Sequence, residues 1–98
     1  MKEITKVSEI TVNDLAEYLR IYELDANETA LLSNLLNIAK SYIKSYTGQD
    51  DLDKYQDFVI VTLVLVQDMH DNRTLYVDTK NLNTVIETIL GMHSVNLL

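Results

Sequence analysis

The residues of this chain that could do chemistry are few, and one group of them surrounds His70. Asp68, His70 and Asp71 carry carboxylate and imidazole groups of the kind that bind metal ions. On a helix Asp68 and Asp71 are neighbours on one side, whereas His70 points to another side. A metal site needs three or four converging ligands, and the second histidine, His93, is far away in the sequence. We therefore expect a solvated helix surface here.

A second group is an acidic cluster that could suggest calcium binding, and it consists of Asp50, Asp51, Asp53 and Asp57. A calcium-binding EF-hand loop needs oxygen ligands at alternating positions, a central glycine and a closing glutamate, and this stretch lacks that framework. Carboxylates at the start of a helix are stabilised by the helix dipole. We interpret the cluster as the solvated beginning of a helix.

No catalytic pattern is visible elsewhere in the sequence. The chain has no cysteine, which excludes thiol nucleophiles, thiolate metal sites and disulfides. No serine lies in a nucleophile-elbow motif, and no glycine-rich loop could hold a phosphate group. We expect a protein that is not an enzyme, has no cofactor and works by contact with other macromolecules.

Length and composition predict one folded domain over residues 1–98. Hydrophobic residues make up 47% of the 98 residues, which is ordinary for a globular protein. The absence of proline and the presence of only two glycines favour long helices over a turn-rich β fold. The longest apolar run, 58–66, is too short to span a bilayer, so no membrane contact is expected. A net charge of −7 argues against tight binding of nucleic acid.

The elements that must position these residues are four helices, with a loose arm at 1–11 and a tail at 91–98. Apolar spacing of three and four residues and capping patterns predict them. The predicted helices are 12–19, 27–46, 54–73 and 82–90. The predicted capping residues are Thr11 with Asp14, Asp25 with Glu28, Asp53 with Gln56, and either Asp78 or Asn81, with Gly48 and Gly91 ending the second and fourth helices. The link 75–78 could be a short strand.

The third predicted helix is apolar almost all the way round over residues 58–66. Its valines and isoleucine favour a strand by propensity, but the uninterrupted continuation to Arg73 and the preceding caps favour a helix. Such a helix must be covered on every side. It is therefore either the central helix of the fold or partly buried by another subunit. The fold class that follows is all-α: a compact bundle of about four helices with a central third helix and flexible arm and tail.

Four segments give the chain a resemblance to a known family. They are 14–21 at the end of the first helix, the acidic connection 23–28, the stretch 31–48 that closes in Tyr-Thr-Gly, and 69–73, which closes in Asp-Asn-Arg. In order and spacing they resemble the head–tail connector family of tailed bacteriophages, also described as DNA-packaging or head-completion adaptors. The resemblance covers residues 12–90.

The resemblance implies a structural virion protein that forms a ring, expected to be dodecameric, at the capsid vertex. The ring would join the portal protein to the tail or stopper proteins and extend the channel through which DNA passes without specific binding. It implies location at the head–tail interface of the virion, and in the host cytoplasm during assembly. The candidate contacts with other subunits or partners are Arg20, Tyr22, Arg73, Val95, Leu97 and Leu98.

Two alternatives accompany this interpretation. Arg73 could bind a carboxylate of its own or a neighbouring chain, or it could cap its own helix. The whole protein could instead be a small acidic regulatory protein, an inhibitor or DNA mimic that acts on a host protein. A DNA mimic needs carboxylates spaced along one face, whereas here they gather at helix starts and loops.

Overall fold

Four α-helices form the fold in residues 3–95, the part of the chain that the computed structural model describes. They are α1 (Val12–Leu19), α2 (Ala26–Thr47), α3 (Asp57–Asn72) and α4 (Thr84–Met92), with short 3₁₀ turns at Val7–Glu9 and Leu52–Lys54. No residue from 3 to 95 is in a strand, so the link 75–78 is not one. The predicted all-α bundle is confirmed.

The ends of the first two helices form where the sequence predicts. The Thr11 hydroxyl accepts a hydrogen bond from the Asp14 backbone, and the Asp14 carboxylate accepts one from the Thr11 backbone. The Asp25 carboxylate accepts a bond from the Glu28 backbone at 2.7 Å. At the end of α2, Gly48 has a φ of 72°, a left-handed conformation that glycine adopts without steric cost.

The apolar segment 58–66 is helical, as predicted, but α3 begins at Asp57 and not at residue 54. The Asp53 carboxylate does not cap this helix, because both its oxygens accept hydrogen bonds from Ser8, at 2.9 and 2.6 Å. Residues Leu52–Lys54 form a separate 3₁₀ turn, and the extended backbone of Tyr55 separates it from α3. A long-range bond has therefore replaced the local cap.

Helix α3 is the central element of the bundle. α1, α2 and α4 all pack against it, and its buried residues include Phe58, Val61 and Val66. Within 58–66 the exceptions are Ile60, whose side chain is 57% exposed, and Val64, which is partly buried. One chain thus covers most of the helix, and one flank remains open to solvent.

The segment before α1 is packed, so the expectation of a loose arm at 1–11 is wrong for its described part. Ile4, Val7 and Ile10 are all buried in the core. Their spacing of three residues places them on one side of the segment that forms the first 3₁₀ turn. The bonds between Ser8 and Asp53 join this turn to the second one. Burial of three branched side chains outweighs the polar character of the segment.

The last helix is shifted two residues toward the C-terminus of the chain relative to the prediction. Its N-cap is Asn83, which accepts a bond from the Val85 backbone, and neither Asp78 nor Asn81 caps it. Those two residues bond to each other at 2.8 Å in the preceding turn. Gly91 lies inside α4, which ends at Met92.

Candidate protein-interaction site

Two side-chain bonds bring three helix ends together at one end of the molecule. Glu28, in the first turn of α2, binds Nε2 of His70, in the last turn of α3, at 2.8 Å. The Tyr18 hydroxyl, near the end of α1, donates to Gln67 of α3 at 3.1 Å. The C-terminal ends of α1 and α3 and the N-terminal end of α2 therefore meet. We call this region the arginine end, after Arg20 and Arg73.

The opposite end of the molecule is built around His93, which directly follows α4. Its ring stacks on Tyr55 with centroids 3.8 Å apart and meets Phe58 edge-on at 5.4 Å. Its Nε2 lies 3.1 Å from a carboxylate oxygen of Asp57 at the start of α3. The backbone of Val95 then donates to the carbonyl of Thr47 at 2.7 Å. We call this region the tail end.

The six candidate contact residues therefore do not form one site. Arg20, Tyr22 and Arg73 lie at the arginine end, whereas Val95 lies at the tail end. Helix α2 runs between the two ends, and its 22 residues span about 33 Å at 1.5 Å per residue. Leu97 and Leu98 lie outside the described residues.

Arg20 and Arg73 occupy matching positions in the backbone. Both follow a helix directly, α1 for Arg20 and α3 for Arg73, and both have left-handed conformations, with φ of 60° and 55°. The backbone amide of the next residue closes each turn, from Ile21 to Ala16 at 2.8 Å and from Thr74 to Met69 at 3.0 Å. This hydrogen bond is typical of a Schellman motif.

Both arginine side chains are exposed, and neither forms a salt bridge with any residue between positions 3 and 95. Of the two roles considered for Arg73, the structure therefore shows the helix-capping position and no carboxylate contact within the described chain. A guanidinium group presents five donors in a rigid fork that fits a carboxylate. Both groups are available for a contact outside the chain.

Exposed apolar side chains accompany the arginines. Tyr22 is 90% exposed, and Leu75 and Tyr76 are exposed just beyond Arg73. At the tail end Val95 is 58% exposed. Aromatic and arginine side chains are enriched where proteins contact each other. The composition of the arginine end is thus typical of a contact surface.

A cavity of about 420 Å³ opens at the arginine end between α2 and α3. We call it the arginine groove; it is lined by Glu28, Leu31, Leu35, Met69, His70, Arg73, Thr74 and Leu75. Leu31 and Leu35 lie on the same face of α2 as Tyr42. The pKa of Tyr42 is raised by burial, then by Tyr46 and by the carboxylate of Glu87, so Glu87 of α4 lies near Tyr42. Helix α4 therefore covers one part of this face and leaves the other part open.

The sequence predicts a solvated helix surface around His70, but in the structure part of the His70 side chain is covered. His70 is half-buried and binds Glu28, which lies 42 positions away, so no local pattern could have revealed the pair. Asp68 and Asp71 do lie together on the exposed side of α3. Partial burial and the charge of Asp71 raise the pKa of the Asp68 carboxyl above its ordinary value.

The acidic cluster does not converge on a common point. Asp51 accepts a bond from the Asp53 backbone, Asp53 binds Ser8, and Asp57 binds His93. Among the described residues no three acidic or histidine side chains are arranged to hold a metal ion. No helix within residues 3–95 is long and apolar enough to cross a membrane.

No protein-family model, curated protein or solved structure matches this chain. The contribution of the structure to the functional interpretation is its exposed surfaces. These are two arginines that form no salt bridge within residues 3–95, a groove with an apolar floor, and exposed apolar side chains at both ends. Such surfaces are suited to contact with other macromolecules.

Proposed function

We propose that this protein is a structural subunit of a head–tail connector ring in a tailed bacteriophage. Copies of the chain would contact one another around the ring, with the portal protein on one side and tail or stopper proteins on the other. The resemblance of segments 14–21, 23–28, 31–48 and 69–73 to that family is the origin of the proposal.

The observation that carries the proposal is the separation of the exposed contact residues into two opposite ends. A subunit that joins two partners along an axis needs a contact surface at each end. Tyr22 and Arg20 are exposed at the arginine end, and Val95 is exposed at the tail end. The two ends are joined by α2, which is about 33 Å long. The described chain is 44 Å in its longest dimension, which suits a connecting piece.

The charge of the chain fits a channel through which DNA slides. Each lysine or arginine that binds a phosphate releases counterions and holds the DNA, so a channel wall should have few such contacts. The net charge of −7 is consistent with this requirement. Acidic subunits would let DNA pass without specific binding.

Native mass spectrometry over a concentration series tests the proposal, together with the position of the gene relative to portal and tail genes. A ring-sized oligomer supports the proposal. A strict monomer at high concentration that is encoded away from all virion genes contradicts it. Capture of a host nuclease or polymerase by such a monomer would favour the acidic regulatory protein instead.

Removal of residues 95–98 tests the role of the tail end. We expect the shortened chain to keep its fold, because Val95 is largely exposed and its described backbone bond is the one to Thr47. Assembly should weaken, measured as a rise in the concentration at which oligomers appear. Unchanged assembly would show that the tail is not a contact surface.

A further inference from the structure

The exposed flank of α3 carries apolar and acidic side chains in one row. Ile60, Val64, Asp68 and Asp71 follow one another at spacings of four, four and three residues, which places them on the same side of the helix. Ile60 is 57% exposed, Val64 is partly buried, and both aspartates are exposed. We call this row the acidic flank.

The two aspartates have no cationic partner within residues 3–95. They are three positions apart on a helix, a spacing at which like charges repel each other. Partial burial and the charge of Asp71 raise the pKa of Asp68. A cation from outside the chain would relieve this repulsion.

The arginine groove lies on a different side of the same helix. Successive residues advance about 100° around a helix, so Met69 and His70, which line the groove, point about 100° and 200° away from Asp68. Arg73 follows Asp71 by two residues but forms no salt bridge with it. Within residues 3–95, one molecule therefore presents two carboxylates without a cationic partner on one side of α3 and a guanidinium without a salt bridge on a different side.

We infer that the arginine groove of one copy receives the acidic flank of a second copy. Arg73 of the first copy would bind Asp68 or Asp71 of the second, and Ile60 and Val64 would lie against the apolar lining of the groove. Leu31, Leu35 and Met69 supply that lining. The charge of Arg73 is complementary to the two aspartates, and Glu28, the acidic residue of the groove, is bonded to His70.

This contact joins two different surfaces, so it is heterologous, and heterologous contacts form closed rings when the rotation between copies closes. The inference deepens the proposed function by naming the contact between neighbouring subunits, and it rests on that proposal for the ring. The contact itself is made by the one open flank of α3, whose other sides are covered within its own chain.

A charge exchange in the full-length chain tests the contact. Arg73→Asp should raise the concentration needed for assembly at least about tenfold, and Asp71→Arg should do the same, because each puts like charges face to face. The chain with both changes has opposite charges again and should recover assembly. Native mass spectrometry measures the oligomers, and circular dichroism verifies that each variant is folded.

Lys44→Asp is the control. It makes the same change of charge on an exposed side chain in the last turn of α2, and Lys44 neither lines the groove nor belongs to the acidic flank. Aspartate is among the residues that tolerate the left-handed conformation of Arg73, so Arg73→Asp should fold. The control should change the concentration needed for assembly much less than Arg73→Asp.

The outcomes separate the contact from the ring. A ring that forms equally well in wild type, Arg73→Asp and Asp71→Arg overturns this contact and leaves the connector proposal in place. Loss and recovery of assembly as expected, but in a dimer or an open filament, supports the contact and contradicts the connector. A wild type that stays monomeric at all concentrations overturns the contact.

Discussion

Three valines of α3 offer a direct test of how this helix is buried. Val61 and Val66 are fully buried, whereas Val64 is partly exposed on the acidic flank. We consider the same substitution, valine to alanine, at each position. Because all three positions are inside the helix, the gain in helix propensity is the same for each, and differences between the variants report burial.

The expected magnitude follows from the groups that are removed. Valine to alanine removes two methyl groups, worth about 1.6 kcal/mol when buried, and the cavity left behind adds up to about 1 kcal/mol. The better helix propensity of alanine returns about 0.5 kcal/mol. Val61→Ala and Val66→Ala should each lower the free energy of unfolding by about 2 kcal/mol, and Val64→Ala should change it by less than about 0.5 kcal/mol.

Urea unfolding followed by circular dichroism measures these values. The protein concentration must be low enough for the monomer to dominate, because self-association would add to the apparent stability. The slope of free energy against urea should be unchanged in all three variants. A strand would put Val61 and Val66 on opposite faces. A large loss of unfolding free energy at one of them and none at the other would therefore refute the helical burial. Equal losses in all three variants would refute it too.

Two further changes probe the core and the charges. Leu35→Asp places an unpaired charge at a fully buried position and should destabilise the domain by more than about 4 kcal/mol. The control Asn37→Asp, on the exposed side of α2, should retain cooperative melting. A stable Leu35→Asp variant would contradict the packing of α2. Asp68→Asn should raise the free energy of unfolding at pH 7 by under about 1 kcal/mol, since the raised pKa of Asp68 means that folding penalises its ionised form. That gain should shrink as the pH falls and vanish below about 3.9, where Asp68 is protonated in both states; a gain that persists at pH 3 would contradict this origin.

Local patterns in the sequence were sufficient to predict most helices. The capping residues Thr11 and Asp25 and the left-handed Gly48 depend on neighbours within a few positions, and the structure has all three as predicted. The starts of α3 and α4 were misplaced for physical reasons. Asp53 binds Ser8, which lies 45 positions away. Asn83 caps α4, while Asp78 and Asn81 bond to each other in the preceding turn.

The site was less predictable than the fold. Arg73 and Tyr22 could be named from the sequence, but the groove beside Arg73 needs α2 and α3 to lie side by side. The pairing of Glu28 with His70 and the stacking of His93 on Tyr55 join residues about 40 positions apart. Such contacts are set by tertiary packing, which no local spacing encodes.

The two left-handed arginines carry a consequence for the energetics of the chain. An L-residue with a side chain costs about 1 kcal/mol or more in this conformation, and glycine avoids that cost. The chain uses glycine at Gly48 but has arginine at positions 20 and 73. Arg20→Gly and Arg73→Gly should therefore each raise the melting temperature, and a lower melting temperature in both would contradict this. At both helix ends the chain is less stable than it would be with glycine. Such a loss of stability is typical of positions where the side chain is needed for activity.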